Sequence, residues 1–224
     1  MKREFTAPNG IKRIFSYREG TNDENTIIAC FEQDYYKVLE LVKPGDTVID
    51  LGAHLGGVSL LASTIPNTKI IAVEALPENA DILKQNVLDQ KVDNVTVYNR
   101  AVWQTPDIDV TVSYGDDGTE NGRVHNFMGS VRTALTDLAT VKVPTITIDQ
   151  IMKENGIEEC KFLKLDIEGA EENLFDFLPT QFEVITGEYH NNTFEHFFPY
   201  TDIFNVERAD FGYFICKRKE NHAW

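Results

Sequence analysis

No stretch of this sequence approaches the roughly 18 to 20 uninterrupted apolar residues of a membrane-crossing helix, so no membrane association is expected. Cysteine is scarce. Cys30, Cys160 and Cys216 are scattered and odd in number, which excludes a disulfide framework and a Cys-x-x-Cys metal site. Such usage fits a reducing compartment. Basic residues are in deficit: 21 Lys and Arg against 36 Asp and Glu give a net charge of −15. A nucleic-acid or anionic-membrane surface needs the opposite balance, so neither partner is expected. The opening residues "MKREFTAPNGIKRIF" lack the apolar core of a secretory signal, and the cytoplasm is the expected location. Internal repeats, low-complexity linkers and the Gly-x-Gly-x-x-Gly dinucleotide fingerprint are also missing.

What remains is an ordinary globular composition, 42% hydrophobic and 25% charged over 224 residues, enough for one core with decorations. Residues 1–44 are mixed, with a short strand over 11–17, a polar turn "REGTNDEN" and a helix over 31–41. From Thr47 the pattern turns regular. "TVIDLG", "KIIAVEA" and "NVTVYN" read as buried strands. Between them lie a helix over 56–65 and a second that begins at Pro77, whose apolar face is Ala80, Leu83 and Val87. Alternating strand and helix predicts an α/β fold with a parallel sheet. Residues 103–147 interrupt it: "IDVTVSY", an acidic loop "GDDGTENG" and "VKVPTITI" predict an inserted hairpin or flap. His125 and Asn126 lie just behind its tip. Alternation resumes with a helix over 149–154, a strand over 160–166, a helix over 170–178 and a strand over 183–189. "IFNVERADFGYFICKRK" then predicts an antiparallel edge hairpin.

Two features point to a ligand. "DLGAHLGG", residues 50–57, is a glycine turn between a strand and its helix, where the backbone can approach a bound molecule. Asp50 precedes the first glycine by two residues. There it would repel a pyrophosphate and suit an ammonium or sulfonium cation. Glu74 ends the second strand, the position from which a carboxylate accepts both ribose hydroxyls. Together, without the pyrophosphate fingerprint, they favour S-adenosylmethionine over NAD.

The segments "VIDLGAHLGGVSLLAS", "AVEALPENADILKQNV", "VYNRAV", "TITIDQI" and "FLKLDIEGAEENLF", in this order, resemble the FkbM-type class I S-adenosylmethionine-dependent methyltransferases. The resemblance runs from about residue 47 to about residue 190. It implies a Rossmann-like, seven-stranded, mostly parallel sheet with helices on both faces, and methyl transfer to oxygen of a sugar or natural product. On this view residues 1–44 are an extension packed on a methyltransferase domain over 45–224. Carried over by position, Asp50, Gly52, Ala53 and Gly56 lie under the methionine part of the cofactor. Glu74, with Ala75, holds the ribose, and Arg100 and Ala101 pass the adenine. Asp166 stands beside the methyl donor. His54 departs from the family, which more often has a small polar residue there.

Asp166 ends a central strand, and Glu188 and His190 end the next, two apart and on one face. They are the expected catalytic groups. Two chemistries fit. In one, the three hold Mg²⁺ or Mn²⁺, which lowers the acceptor hydroxyl's pKa. In the other, His190 is a general base oriented by Asp166 or Glu188. Glu168 and Glu171 are expected to serve a helix start. Lys164 shares the parity of Asp166, which predicts a buried ion pair with a nearby carboxylate. Trp103 and His196 are expected to pack. Tyr35 and Tyr36 either line the cofactor mouth or anchor the N-terminal helix, and the sequence does not choose. The reading is an O-methyltransferase of a small-molecule or saccharide hydroxyl, with a homodimer compatible. An NAD-dependent oxidoreductase and a non-catalytic binding module are the rivals.

Overall fold

The computed structural model of the protein describes residues 1–115, 118–125, 139–168, 170, 171, 174, 182–188, 201–208 and 213–222. The chain opens with an antiparallel pair, β1 (Lys2–Thr6) and β2 (Lys12–Ser16). A helix α1 (Asp23–Ile27) follows and runs directly into a π-helical turn (Ile28–Glu32), and then α2 (Val38–Leu41). The regular alternation then begins. It comprises β3 (Thr47–Leu51), α3 (Gly57–Ala62), β4 (Lys69–Glu74), α4 (Pro77–Asp89), β5 (Val95–Asn99) and the short β6 (Ala101–Val102). The insertion holds β7 (Asp109–Gly115), β8 (Gly118–His125) and β9 (Ala139–Ile146). The chain closes with α5 (Ile148–Glu154), β10 (Cys160–Leu165), β11 (Phe182–Glu188), β12 (Phe204–Arg208) and β13 (Tyr213–Arg218).

The main sheet has seven strands in the order β12-β13-β11-β10-β3-β4-β5. Neighbours from β11 to β5 are parallel, and the C-terminal hairpin adds two antiparallel strands. A second sheet, β6-β9-β7-β8, is the expected insertion. Strand parity divides the central residues between two cores. Val48, Ile70, Ala72, Phe162 and Val184 face one side with α3, α4 and the N-terminal segment. Ile49, Leu51, Ile71, Val73, Leu163, Leu165 and Ile185 face the other, against α5. Phe5, Phe15 and Phe31 are fully buried in the first core and meet edge to face, with ring centroids 5.6 Å and 5.1 Å apart.

Three sequence expectations are corrected. The helix over 31–41 is instead two short helical pieces, because the chain turns left-handed at Asp34 (φ 51°) and Lys37 (φ 56°). The Asp34 carboxylate accepts the N–H groups of Val38 (2.7 Å) and Leu39 (3.0 Å), so a residue at a helix-compatible spacing acts as a local cap. The turn expected before it is already helical from Asp23. Most of "GDDGTENG" is strand: Gly118 pairs with Gly115, and β8 runs on along β7 in spite of its polar residues. The strand β1 had no counterpart in the sequence reading, since its charged, exposed positions mask one buried phenylalanine. The helix expected over 170–178 lies largely outside the described residues, as do Asn126 and His196.

Candidate functional site

The C-terminal ends of the parallel strands open onto a cavity of about 390 Å³. Its floor is the turn after β3 (Gly52, Ala53, His54), the end of β4 (Glu74, Ala75) and Asp166 after β10. Glu188, the last residue of β11, lies at one end and Arg100 and Val102 at the other. The outer wall comes from the N-terminal segment and includes Asn22, Thr26, Cys30, Tyr35 and Tyr36. This is the crevice in which open α/β sheets bind ligands.

The turn after β3 is shaped by one close approach. Gly52 has φ +74°, and a Cβ there would sit 1.7 Å from the Asp166 carbonyl oxygen. Its N–H and that of Ala53 both donate to Val73 O, at 2.9 and 3.0 Å. His54 then turns left-handed (φ 50°) and donates its N–H to Glu74 Oε2 at 2.8 Å. Glu74 Oε1 accepts the N–H of Leu76 at 2.9 Å, and Asn79 stands at 3.4 Å. The Glu74 carboxylate, 6% exposed, is thus fixed by backbone donors at the cavity wall. Oε2 keeps a second lone pair, and on Oε1 the long 3.4 Å contact of Asn79 is the one a ribose hydroxyl would displace, so the carboxylate can serve the two hydroxyls of a ribose.

Behind the turn lies a buried charge cluster. Lys164 stands opposite Asp50 in the β10–β3 register. Its ammonium donates to Gly52 O (2.6 Å) and Leu51 O (3.2 Å), and lies 3.6 Å from both Asp50 Oδ1 and Asp166 Oδ2. Burial alone would lower the lysine, but Asp166 and Asp50 reverse that and raise it above its ordinary value. The expected buried ion pair is therefore present, and it is shared by two carboxylates. Ser59 donates to Asp50 Oδ2 at 2.6 Å. Cys30 on the π-helical turn packs against Gly57, where a Cβ would come within 2.6 Å of the Cys30 Cβ. Burial pushes its thiol up to about 12, so Cys30 is a neutral wall.

A second cluster ties the N-terminal segment to the turn. The fork of Arg18 donates through Nε (2.8 Å) and Nη2 (2.8 Å) to the two oxygens of Asp23, and Nη2 also reaches Asn79 Oδ1 at 2.7 Å. His54 Nε2 stands 3.2 Å from Asp23 Oδ1, within ion-pair range but off the line of a hydrogen bond. Asp23 is 1% exposed. Burial would raise its carboxyl, but His54 and Arg18 hold it below the usual carboxylate range. Asp23→Asn is expected to lower stability by about 2–3 kcal/mol at pH 7, the scale of lost hydrogen bonds to a charged group. A depressed carboxyl stabilises above its unfolded value near 3.8 and loses that contribution as pH falls below it. Melts from pH 3 to 7 should therefore show the variant losing less stability on acidification than the wild type. Parallel curves would refute the pairing.

Of the residues named from sequence, Gly52, Ala53, Glu74, Ala75, Arg100, Asp166 and Glu188 meet at the cavity. Asp50, Gly56 and Ala101 do not line it. Asp50 is fully buried beneath the turn on Lys164 and Ser59, where strand parity directs it into the core. Gly56 (φ +94°) supports the helix start against Leu83, and Ala101 packs into the core of the inserted sheet. Glu171, expected at a helix start, is buried and accepts the Ile167 N–H at 2.9 Å. His190 lies outside the described residues. Among the described residues no three His, Cys, Asp or Glu side chains stand together as a metal site. Sequence reasoning passed over Arg18, Asp23 and Asn79, whose signal is a three-dimensional network with no local spacing.

The methyltransferase FkbM domain model matches residues 50–214. The chain belongs to the FkbM methyltransferase family. Among solved structures, a precorrin-6y C5,15-methyltransferase from Geobacter metallireducens is similar in fold, with 13% identity, TM-score 0.53, and 84% of this chain and 89% of that one covered. An S-adenosylmethionine-dependent methyltransferase from Aquifex aeolicus aligns with 13% identity and TM-score 0.46, covering 88% and 93%. No curated protein matches. As an FkbM methyltransferase the chain uses S-adenosylmethionine, and the cavity fits it: the carboxylates of Glu74 and Asp166 on its lining suit a cationic nucleoside.

Proposed function

We propose that this FkbM methyltransferase transfers a methyl group to a hydroxyl of a small molecule or saccharide. The observation that carries this reading is one cavity that runs along the strand ends from Arg100 past Glu74 to Asp166 and Glu188. Glu74 would hold the ribose of S-adenosylmethionine, Arg100 and Val102 would border the adenine, and Gly52 and Ala53 would lie under the methionine part. Bound S-adenosylmethionine supplies a methyl carbon on a positively charged sulfur. The chain's own residues then have two tasks. Asp166 stands beside the donor, Glu188 orients the acceptor hydroxyl, and His190, two residues past Glu188, takes its proton as oxygen forms the new bond. The N-terminal segment and the cavity walls exclude water from the reacting atoms.

Titration calorimetry of the full chain with S-adenosylmethionine, S-adenosylhomocysteine and NAD tests the first half of the proposal. Binding of the first two without NAD is expected, and tighter NAD binding would overturn it in favour of an oxidoreductase. Glu74→Ala should weaken S-adenosylhomocysteine roughly 100-fold, the scale of two hydrogen bonds to a charged acceptor. A loss under threefold would remove Glu74 from the site. Release of S-adenosylhomocysteine against a panel of sugars, phenols and amines tests the acceptor. Turnover confined to amines would replace oxygen by nitrogen as the nucleophile.

A further inference from the structure

The N-terminal segment does more than cover the cavity. Tyr36, two residues before α2 and 2% exposed, donates its hydroxyl to Asp166 Oδ2 at 2.9 Å. The two residues are 130 apart in sequence. Lys164 lies 3.6 Å from the same oxygen. Its ammonium also stands 5.4 Å from the centre of the Tyr36 ring, a cation–π contact that ties the lysine to the same tyrosine. Asp166 Oδ1 has no hydrogen-bond or ion-pair partner among the described residues, and the side chain is 22% exposed on the cavity wall. One oxygen of this carboxylate is therefore pinned from behind, and the other is left to the cavity.

The pin is itself held on several sides. The Tyr36 ring meets Tyr35 edge to face at 5.3 Å and Tyr213 at 5.8 Å, and Tyr35 lies 4.9 Å from Tyr213. The Tyr213 hydroxyl is bonded in turn to Thr186 Oγ1 at 3.0 Å. Burial, with the Asp166 carboxylate beside it, raises the Tyr36 hydroxyl well above its ordinary value, so it stays a hydrogen-bond donor at any working pH.

We propose that Tyr36 is a positioning residue of the methyl-donor site, fixing Oδ2 of Asp166 so that Oδ1 presents its negative charge to the cationic sulfur of S-adenosylmethionine. This rests on the reading of the cavity given above. A ribose on Glu74 with its base toward Arg100 leaves the sulfur on the Asp166 side of the crevice. A carboxylate that rotates freely there would spread its charge over several orientations. One that is pinned favours the cation over its neutral, demethylated product. The segment that forms the outer wall is thereby part of the electrostatics of the donor.

The test is the ratio of two affinities, measured by calorimetry on the full chain. S-adenosylmethionine carries the sulfonium charge and S-adenosylhomocysteine does not, so a general disturbance of the wall weakens both alike. Tyr36→Phe keeps the ring and removes one hydroxyl. It is expected to weaken S-adenosylmethionine roughly tenfold and S-adenosylhomocysteine less than twofold. Asp166→Asn should shift the ratio in the same direction and at least as far. The double variant should shift it no further than Asp166→Asn alone, because Tyr36 acts through that carboxylate. Equal losses for both nucleosides in Tyr36→Phe, no change in either, or additive shifts in the double variant would each overturn the role of Tyr36. Wild-type protein that binds neither nucleoside would overturn the donor site itself, a separate result.

Discussion

Lys164→Met is expected to destabilise the protein by roughly 3–5 kcal/mol at pH 7, the range seen when one partner of a buried pair is removed. For a chain of this size that lowers the melting temperature by about 10–15 °C. Methionine keeps the apolar stem, so the loss is electrostatic. It leaves Asp50, fully buried, and Asp166 without the ammonium that lies 3.6 Å from each, and it frees the Leu51 and Gly52 carbonyls. The deficit should be evident in melts at both pH 5 and pH 8. The alkaline side has its own sign. The folded-state value of Lys164 lies above its unfolded value. Its contribution is thus complete below about 10.5 and is lost only as pH rises through the folded value. Thermal melts by circular dichroism read both limbs. A Lys164→Met protein melting within two or so degrees of wild type at pH 8 would show that the cluster contributes no net stability.

Gly52→Ala is expected to fail at two levels. Alanine at φ +74° is strained, and its Cβ would meet the Asp166 carbonyl oxygen 1.7 Å away. That oxygen is backbone, held by the Asp166 N–H to Leu51 O at 3.3 Å, so no side chain can swing aside. Strain and overpacking together cost about 2–6 kcal/mol. Relief requires β3 and β10 to part at their ends, which displaces the cavity floor, and S-adenosylhomocysteine affinity should fall at least about 100-fold. Gly10→Ala is the control. Its φ is +82°, yet nothing lies within 4 Å of the added carbon, so only the local strain of about 1 kcal/mol is expected. Equal melting temperatures and equal nucleoside affinities for the two variants would mean that the approach of Gly52 to β10 is not a constraint.

The parallel core was legible in the sequence because its strands are apolar on both faces and its helices carry a clear stripe. "TVIDLG", "KIIAVEA" and Ala80, Leu83 and Val87 all took their expected places. Glu74 and Asp166 were legible as wall residues, since the end of a parallel strand fixes where a side chain emerges. Asp50 was harder. It sits one residue before the end of β3, and strand parity directs it down onto Lys164 and away from the crevice. The outer wall was the least legible part. Asp34 breaks a plausible helix by bonding two N–H groups, and Tyr36 finds Asp166 across 130 residues. Neither event leaves a period in the sequence. Gly187 was silent for a similar reason: a Cβ there would meet the Leu165 carbonyl oxygen at 1.8 Å, a demand set by the neighbouring strand.

The stack of Phe5, Phe15 and Phe31 places residues that precede the family match in one core with Leu60, Leu83 and Phe162. The stretch matched by the family model and the stretch that builds this core therefore begin at different points in the chain. Trimming the protein to its homologous part would strip three aromatic rings from the interior and open one side of the crevice. The floor of the crevice and its outer wall thus come from separate stretches of this chain, so an exchange within its leading forty-odd residues alters the entrance and leaves the floor in place.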